Sequence, residues 1–224
     1  MEGREAKERL YEQFARTAKA LAHPARIELL ELLAQGEASV EVLAERSTAG
    51  VTKASAHLQV LLRARLVETR RSGTRVFYRL ASDDVARLVA TVRDVSRSRL
   101  AEVDQVVRDY FGARDALEPL TRDELIARQA HGDVLVLDVR PADEFAAGHI
   151  PGALSIPLDE LDEQLGRLPR DVTVVAYCRG PYCVLAPLAV EKLRAAGFDS
   201  RRLAEGLPEW RLAALAVVHG EESR

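Results

Sequence analysis

The stretch that decides the fold of the second half of this chain is residues 172–184, which read VTVVAYCRGPYCV. Its first five residues form an apolar, β-branched run that is typical of a buried strand. Beyond it, apolar residues recur at helical spacing up to Gly197, where a glycine is a typical helix stop. The stretch therefore predicts a strand, a tight loop and a helix in succession. The loop holds both cysteines of the chain, Cys178 and Cys183.

A thiol at a strand-to-helix turn faces unpaired backbone N–H groups and the positive end of a helix dipole. That environment lowers a thiol pKa and favours nucleophilic attack, so we predict that Cys178 is a nucleophile. The alternative is that Cys178 is a small packing residue. The neighbouring residues favour a shaped loop, which we predict to bind an anion or a persulfide through these residues: Arg179, Gly180, Pro181, Tyr182, Cys183 and Val184.

The rest of the second half alternates between strand and helix patterns. Thr121 to Glu124 has the form of a capping box at a helix start, and residues 134–137 are an apolar strand. This alternation predicts an α/β domain around a mainly parallel sheet. The cysteine loop then lies at the carboxyl end of a strand, where such sheets place their functional sites.

The first half of the chain predicts helices followed by a hairpin. Two short helices flank a turn at residues 47–50, and two alternating runs flank Ser72-Gly73. This order is that of a mainly α winged helix-turn-helix, whose second helix enters the major groove of DNA. A long helix from Ser82 to Gly112 is predicted next, and its apolar stripe is expected to face partly toward a partner subunit.

The predicted second helix and the wing supply the candidate DNA contacts. The face of the helix toward base edges is predicted to carry Thr52, Lys53, Ser55, Ala56, His57 and Gln59. The wing is predicted to place Arg70, Arg71 and Arg75 near phosphates.

The charge distribution agrees with a nucleic-acid partner for the first half only. The formal net charge is −3, but residues 1–112 hold 19 basic against 16 acidic residues, and residues 113–224 hold 13 against 19. Six arginines fall between positions 63 and 79, with Glu68 as the one acidic residue among them. Such a run is as often a solvated face as a binding site. Its place after a helix-turn-helix pattern favours DNA.

Residues 14–80 resemble the ArsR family of bacterial repressors. The resemblance rests on residues 23–26 (HPAR), residues 55–58 (SAHL) and the arginine-rich wing. It implies a homodimer, joined through the first and last helices, that binds a partly palindromic double-stranded operator. Metal-sensing members carry cysteine pairs in the third helix or His and Asp sets in the last. Because residues 39–46 have no cysteine and the last helix has no histidine, no metal site is predicted.

Residues 118–218 resemble rhodanese domains. Five motifs agree in order, namely residues 137–140 (LDVR), 144–145 (EF), 148–153 (GHIPGA), 177–179 (YCR) and Gly206 to Trp210. The resemblance implies a sulfurtransferase domain in which Cys178 takes a sulfane sulfur from an anionic donor as a persulfide and passes it to a thiol acceptor. Asp138, Arg140 and His149 are interpreted as supports of the fold and the loop.

The loop departs from the family pattern at two places. Pro181 stands where glycine is common, and Cys183-Val184 stands where a hydroxyl residue is common. A phosphatase or arsenate reductase would need an arginine at position 184 to hold an oxyanion, so valine disfavours that class.

These observations give a set of predictions for the whole chain. Residues 1–112 form a winged helix DNA-binding and dimerisation domain, residues 113–120 a linker, and residues 121–224 a rhodanese-like domain. No run of 18 apolar residues or secretion signal occurs, and two cysteines make no disulfide framework, so we expect a cytoplasmic protein without a membrane partner. No cofactor is expected.

The predicted function is a DNA-binding regulator that senses or transfers reactive sulfur. Cys183 is a candidate resolving thiol that attacks the Cys178 persulfide, giving a disulfide and sulfide, or else a packed residue beneath the loop. Two alternatives stay open at this point. One is a sulfurtransferase enzyme whose first half serves dimerisation, and the other is a repressor with an inert rhodanese module.

Overall fold

The structure, a computed structural model, describes residues 3–112 and 119–220. The chain divides into two compact units, Met1–Val92 and Arg93–Arg224. The division falls within one helix rather than at the predicted linker. Most of that linker lies outside the described residues.

The first unit is built from helices and one small sheet. Its elements are α1 (Gly3–Leu21), α2 (Pro24–Leu33), β1 (Ala38–Ser39), α3 (Val40–Arg46), α4 (Val51–Arg63), β2 (Val67–Ser72), β3 (Arg75–Leu80) and the first part of α5 (Asp83–Arg99). The three strands form an antiparallel sheet in the order β1-β3-β2. The predicted winged helix-turn-helix is confirmed, with α3 and α4 as its helix pair and β2-β3 as its wing.

Local sequence signals explain where these elements begin and turn. Pro24 occupies the first turn of α2, where its missing N–H costs nothing, and the Ser39 hydroxyl accepts from the backbone N–H of Val42 to cap α3. In the wing, Ser72 pairs with Arg75 across a two-residue turn. Gly73 opens that turn with a φ of +59°, a conformation that glycine adopts without strain.

The apolar core of the first unit comes from the leucines of α2, α3 and α4. Leu29, Leu43, Leu58 and Leu61 are all exposed by 1% or less. Burying these side chains against one another provides most of the driving force for the fold, at about 25 cal/mol per Å² of apolar surface.

The prediction of one unbroken helix from Ser82 to Gly112 is wrong. α5 ends at Arg99, Leu100 is extended (φ −111°, ψ 107°), and α6 (Ala101–Val107) continues into a π-helical turn at Arg108–Gly112. No proline or glycine marks the break. The Ser98 hydroxyl donates to the Val95 carbonyl just before it, a local bond that competes with helix continuation. The spacing of apolar residues correctly predicts that this stretch is helical, but it does not predict the break at Leu100.

The second unit is an α/β domain. After α6 its elements are α7 (Arg122–His131), β4 (Val134–Asp138), α8 (Ala142–Ala147), β5 (Leu154–Ser155), α9 (Leu161–Gln164), β6 (Thr173–Tyr177), α10 (Leu185–Ala195), β7 (Ser200–Arg202) and α11 (Leu207–Leu212). The strands form one sheet in the order β5-β4-β6-β7, and every neighbouring pair is parallel. The predicted parallel sheet and the capping box at Thr121 are both confirmed.

Apolar side chains cover the sheet on both faces. Alternate residues of β6 enter opposite layers, with Val174 and Ala176 in one and Val175 and Tyr177 in the other. Cys178, the next residue, continues the alternation and joins the layer that contains α10. The alternation of side chains along β6 therefore places the Cys178 side chain in a packed apolar layer.

Candidate functional site: an exposed helix face and a two-thiol loop

α4 presents the predicted DNA-facing residues on its outer side. Ala54, Leu58 and Leu61 are buried and anchor the helix to the core. The remaining predicted residues lie outside it, with Thr52, Lys53, Ala56 and Gln59 exposed and Ser55 and His57 half-buried. The helix thus separates the packing residues from those that a base edge can reach.

His57 is held in place by another histidine. Its ring packs against that of His23, the N-cap residue of α2, with centroids 4.2 Å apart and planes tilted by 43°. Burial, followed by the charges of His23, Arg26 and Lys53, lowers the pKa of His57 below its ordinary value. A neutral imidazole keeps one acceptor nitrogen and one donor, which suits recognition of a base edge.

Gln59 has a structural contact that the sequence pattern does not reveal. Its side-chain amide donates to the Tyr78 hydroxyl at 3.1 Å. Because Tyr78 is buried in β3, this bond ties α4 to the wing. One of the two amide N–H donors of Gln59 is thereby occupied within the domain.

The wing arginines are not equivalent. The Arg70 guanidinium donates to both carboxylate oxygens of Glu37 and lies over the Phe77 ring, 5.0 Å from its centroid. Arg79 donates to Glu68. Arg71 and Arg75 are exposed, and within residues 3–112 and 119–220 the Arg71 side chain has no hydrogen-bond or ion-pair partner. The side chains of Arg71 and Arg75 are therefore more available to a phosphate than those of Arg70 and Arg79, which are paired with carboxylates.

The second candidate site is the loop between β6 and α10. The predicted succession of strand, loop and helix is confirmed, since β6 ends at Tyr177 and α10 begins at Leu185. Cys178 and Cys183 are both free thiols. Cys178 is only 3% exposed, whereas Cys183 is half-buried.

The two thiols lie close enough to shift each other's pKa, and backbone N–H groups of the loop act on both. The backbone N–H groups of Ala186 and Gly180 act to lower the pKa of Cys178, and those of Leu185 and Arg179 act to lower the pKa of Cys183. The Cys178 thiol also lies 3.7 Å from the Cys183 carbonyl oxygen, which can accept its proton. Backbone N–H groups of this loop thus favour negative charge on its sulfur atoms, as expected of an anion-holding loop.

The loop lowers the pKa of one thiol only, and it is not the predicted one. Burial and the adjoining Cys183 thiol raise the pKa of Cys178 well above its ordinary value. The hydrogen bond from Cys178, assisted by the Leu185 and Arg179 N–H groups and the Arg179 charge, lowers the pKa of Cys183 to about 7 despite its own burial. The prediction of a lowered pKa at Cys178 is therefore wrong, because its side chain points into the apolar layer.

The Arg179 guanidinium is engaged by a carboxylate. It donates through Nε and Nη2 to Glu144 at 2.8–3.1 Å, and both side chains are largely buried. The carboxylate offsets much of the positive charge of Arg179, which was predicted to be among the anion-binding residues of the loop. The backbone N–H groups therefore contribute more to the anion-holding character of the loop than the side chain does.

Gly206 lies directly against the cysteine loop. A Cβ atom at this position would lie 2.5 Å from the Arg179 carbonyl carbon and closer still to the Gly180 nitrogen, inside the 3.0 Å that real Cβ atoms keep. Its φ of −116° is ordinary, so glycine is needed for space and not for backbone conformation. Gly206 belongs to a motif that the rhodanese resemblance identified, but nothing in that motif predicted this packing role.

A buried polar network lies beside the loop. Arg140 donates to Asp138 at 3.0 Å, Tyr177 donates to the same carboxylate, and the Ile150 N–H donates to the Tyr177 hydroxyl at 3.1 Å. His149 stacks on Phe145 at 3.7 Å. Asp138 and Arg140 are fully buried, which agrees with a supporting role.

Comparison with known proteins identifies both units. The family described as "Bacterial regulatory protein, arsR family" matches residues 23–69, and the "Rhodanese-like domain" matches residues 121–213. The "HTH-type transcriptional regulator Rv0324" of Mycobacterium tuberculosis is 49% identical over 211 residues, which cover 94% of this chain and 92% of that protein. The chain therefore belongs to the ArsR family of transcriptional regulators and carries a rhodanese-like domain behind its DNA-binding domain.

Solved structures resemble each unit separately. The homodimeric winged helix-turn-helix domain of Mb0332 from Mycobacterium bovis is 48% identical, covers 45% of this chain and 91% of its own, and has a TM-score of 0.40. A rhodanese-related protein from Thermoplasma volcanium is 26% identical, covers 46% of this chain and 98% of its own, and has a TM-score of 0.41.

Two other kinds of feature are absent from the described part of the chain. None of its helices combines the length and apolar character needed to span a membrane. Nowhere in residues 3–112 and 119–220 do three or more His, Cys, Asp or Glu side chains cluster as metal ligands would.

Proposed function

We propose that this regulator binds operator DNA as a homodimer and responds to reactive sulfur through the Cys178–Cys183 pair, with Cys178 carrying a persulfide. The observation that carries the proposal is two free thiols in one strand-to-helix loop, with the Cys178 thiol 3.7 Å from the Cys183 carbonyl oxygen, in a chain that also holds a DNA-binding domain. A sulfur sensor needs a thiolate, an anion-holding loop and a DNA-binding partner domain.

The proposed chemistry uses an anionic donor such as thiosulfate or a small persulfide. A thiolate of the loop attacks the outer sulfur of the donor, the donor's S–S bond breaks, and sulfite or a thiolate leaves with the electron pair. The sulfur is held as a persulfide on Cys178. Attack by the Cys183 thiolate on the Cys178 sulfur then forms a Cys178–Cys183 disulfide and releases hydrosulfide. A small thiol reduces the disulfide and resets the loop.

The proposed DNA contacts are the exposed face of α4 and the exposed wing arginines Arg71 and Arg75. Thr52, Lys53 and His57 stand at the N-terminal part of the helix, which in this architecture meets base edges. Arg71 stands on the wing, where it is placed to meet a phosphate.

The proposed homodimer rests on apolar side chains that the described chain leaves uncovered. Leu10, Tyr11 and Phe14 of α1 are 56–62% exposed, and Tyr11 and Phe14 meet edge to face. On α5, Val92 and Val95 are also exposed. Such a patch on a helical surface is typical of a subunit interface.

The proposed domain boundaries are residues 1–112, 113–120 and 121–224. The matched family ranges, 23–69 and 121–213, fall within the first and third of these.

A regulator of bacterial DNA acts in the cytoplasm, which is the proposed location.

The test combines intact mass with operator affinity. Wild type and Cys178→Ser are exposed to thiosulfate or polysulfide, and binding to a labelled fragment from upstream of the gene is measured by fluorescence anisotropy. We expect the wild type to gain sulfur or form the disulfide and to change affinity about 5- to 150-fold, the span of typical coupling energies. Cys178→Ser should show no change in affinity. A wild type that takes up no sulfur, or whose DNA affinity ignores it, refutes the proposal.

A further inference from the structure

An ion pair lies beside the cysteine loop and has no part in the chemistry described above. The Arg93 guanidinium lies 2.8 Å from the Glu209 carboxylate, and the two side chains are only 16% and 15% exposed. Arg93 stands on α5 and Glu209 in the first turn of α11, and both belong to the second unit. Because the pair is largely buried, salt screens it less than it screens a surface pair.

The ion pair lies against Gly180 of the loop. A Cβ atom added to Gly180 would lie 3.8 Å from both carboxylate oxygens of Glu209 and 3.9 Å from Nη1 of Arg93. The same carboxylate accepts the backbone N–H of Gly206 at 3.0 Å. Gly206 in turn packs against the loop backbone without room for a side chain. Glu209 is therefore linked to the loop both directly and through Gly206.

Sulfur loading changes the space that the loop needs. Cys178 is 3% exposed, so a sulfur atom added to it must displace close-packed neighbours. A Cys178–Cys183 disulfide instead fixes the distance between the two ends of the segment that contains Gly180. Because Gly206 leaves no free space against that segment, a shift of the loop backbone is expected to move the first turn of α11 and the Glu209 carboxylate with it.

Arg93 lies on the helix that the two units share. The residues of α5 from Asp83 to Val92 belong to the first unit, and those from Arg93 onward belong to the second. Val92 and Val95 of this helix are part of the apolar patch proposed for the homodimer. A helix is a rigid element that can carry a displacement along its length. A force on Arg93 is therefore applied to the helix that also bears the proposed interface.

We propose that the Arg93–Glu209 ion pair is the contact through which the state of the cysteine loop changes the affinity for DNA. The inference rests on the proposed function and names the contact by which the loop regulates it. Arg93 and Glu209 act as positioning residues, since neither takes part in the chemistry of the thiols. Removing the pair should leave sulfur uptake in place and abolish the response of DNA binding.

The experiment compares full-length wild type, Glu209→Gln and Arg93→Gln before and after treatment with thiosulfate or polysulfide. Intact mass measures sulfur uptake, and fluorescence anisotropy with a labelled fragment from upstream of the gene measures affinity. A glutamine at position 209 can still accept the Gly206 N–H while the charge that attracts Arg93 is lost. We expect uptake in all three proteins and an affinity change of about 5- to 150-fold in wild type. Both variants should change affinity by less than about 2-fold, the scatter typical of independent sites.

Arg87→Gln is the matched control. Arg87 lies on the same helix, is 58% exposed and pairs with Asp84. The substitution removes the same charge, so any loss of DNA affinity that comes from charge alone appears in it too, while its response to sulfur should equal that of wild type. Arg93→Lys keeps the charge and should keep most of the response. Far-UV circular dichroism checks that each variant folds.

A second measurement uses the wild type alone. Hydrogen–deuterium exchange of the α5 peptide that contains residues 93–99 should change when the loop is loaded. Variants that take up sulfur and still change affinity as wild type does, variants that no longer take up sulfur, or an α5 peptide whose exchange stays constant while affinity changes would each overturn the inference and leave the proposed function standing. A wild type that takes up no sulfur, or whose DNA affinity ignores it, overturns the proposed function itself.

Discussion

Replacing Gly206 with alanine tests whether packing against the cysteine loop holds it in shape. The added methyl group would lie 2.5 Å from the Arg179 carbonyl carbon and 2.7 Å from its oxygen. Backbone atoms cannot rotate away as a side chain does, so either the loop or the start of α11 must move. Overpacking of a filled site lowers the free energy of unfolding by about 1–3 kcal/mol. Because the added methyl group would meet backbone atoms, we expect Gly206→Ala to lie toward the upper end of this range. With a urea slope of about 2 kcal/mol/M, a loss of about 2–3 kcal/mol lowers the unfolding midpoint by about 1–1.5 M.

The assay follows this unit within the full chain. Trp210 is the one tryptophan of the sequence and is 4% exposed in α11, so its fluorescence in a urea titration reports on the second unit alone. Gly166→Ala is the matched control, because nothing lies within 4 Å of its added Cβ. Its free energy of unfolding should differ from that of wild type by no more than about 0.5 kcal/mol. Thiosulfate loading should also fall in Gly206→Ala. An unchanged midpoint together with wild-type loading would refute the steric argument.

Three further predictions follow from the site geometry. Arg71→Ala should weaken binding to all DNA sequences and reduce the slope of log affinity against log salt by about 1, whereas Arg79→Ala, whose side chain is paired with Glu68, should change that slope less. The alkylation rate of wild type should rise as pH increases through about 7, where Cys183 loses its proton, and in Cys183→Ser the rise should move to higher pH because burial, which that variant leaves in place, raises the pKa of Cys178. His23→Ala, which removes the ring against His57, should reduce discrimination between operator and unrelated DNA with little effect on the salt slope; an unchanged sequence preference would contradict the positioning role.

The sequence was sufficient for elements whose signals are local. The strand, loop and helix around Cys178 can be predicted from a short run of apolar and turn residues. The capping box at Thr121 can be predicted from the four residues that end at Glu124. The winged helix-turn-helix needed only the order of its elements. Each of these features depends on residues that are close together in the chain.

Contacts between distant residues could not be predicted in the same way. Arg179 and Glu144 are 35 positions apart, and no periodicity connects them. The face of the sheet toward which the Cys178 side chain points could not be predicted either. Both faces of a parallel sheet are buried, so the strand sequence is apolar throughout and has no alternation that would distinguish them. The same limit explains why the lowered pKa was assigned to the wrong thiol.

The pairing of two thiols in one loop suits a regulator better than a transfer enzyme. An enzyme must hand its persulfide to an outside acceptor, and a resolving thiol beside the persulfide competes with that transfer by releasing hydrosulfide. The disulfide left behind persists until a reductant removes it, so a brief encounter with a donor becomes a lasting change of covalent state.

This reasoning gives a final prediction about products. Wild type treated with thiosulfate and then freed of it by gel filtration should retain a Cys178–Cys183 disulfide, with hydrosulfide found in the eluate, and dithiothreitol should restore both thiols and the original operator affinity. Cys183→Ser, once loaded by prolonged exposure, should retain a persulfide on Cys178, because no second thiol is present in the chain. Stoichiometric persulfide in wild type, without disulfide or hydrosulfide, would mean that Cys183 does not resolve it and that the domain delivers sulfur rather than recording its presence.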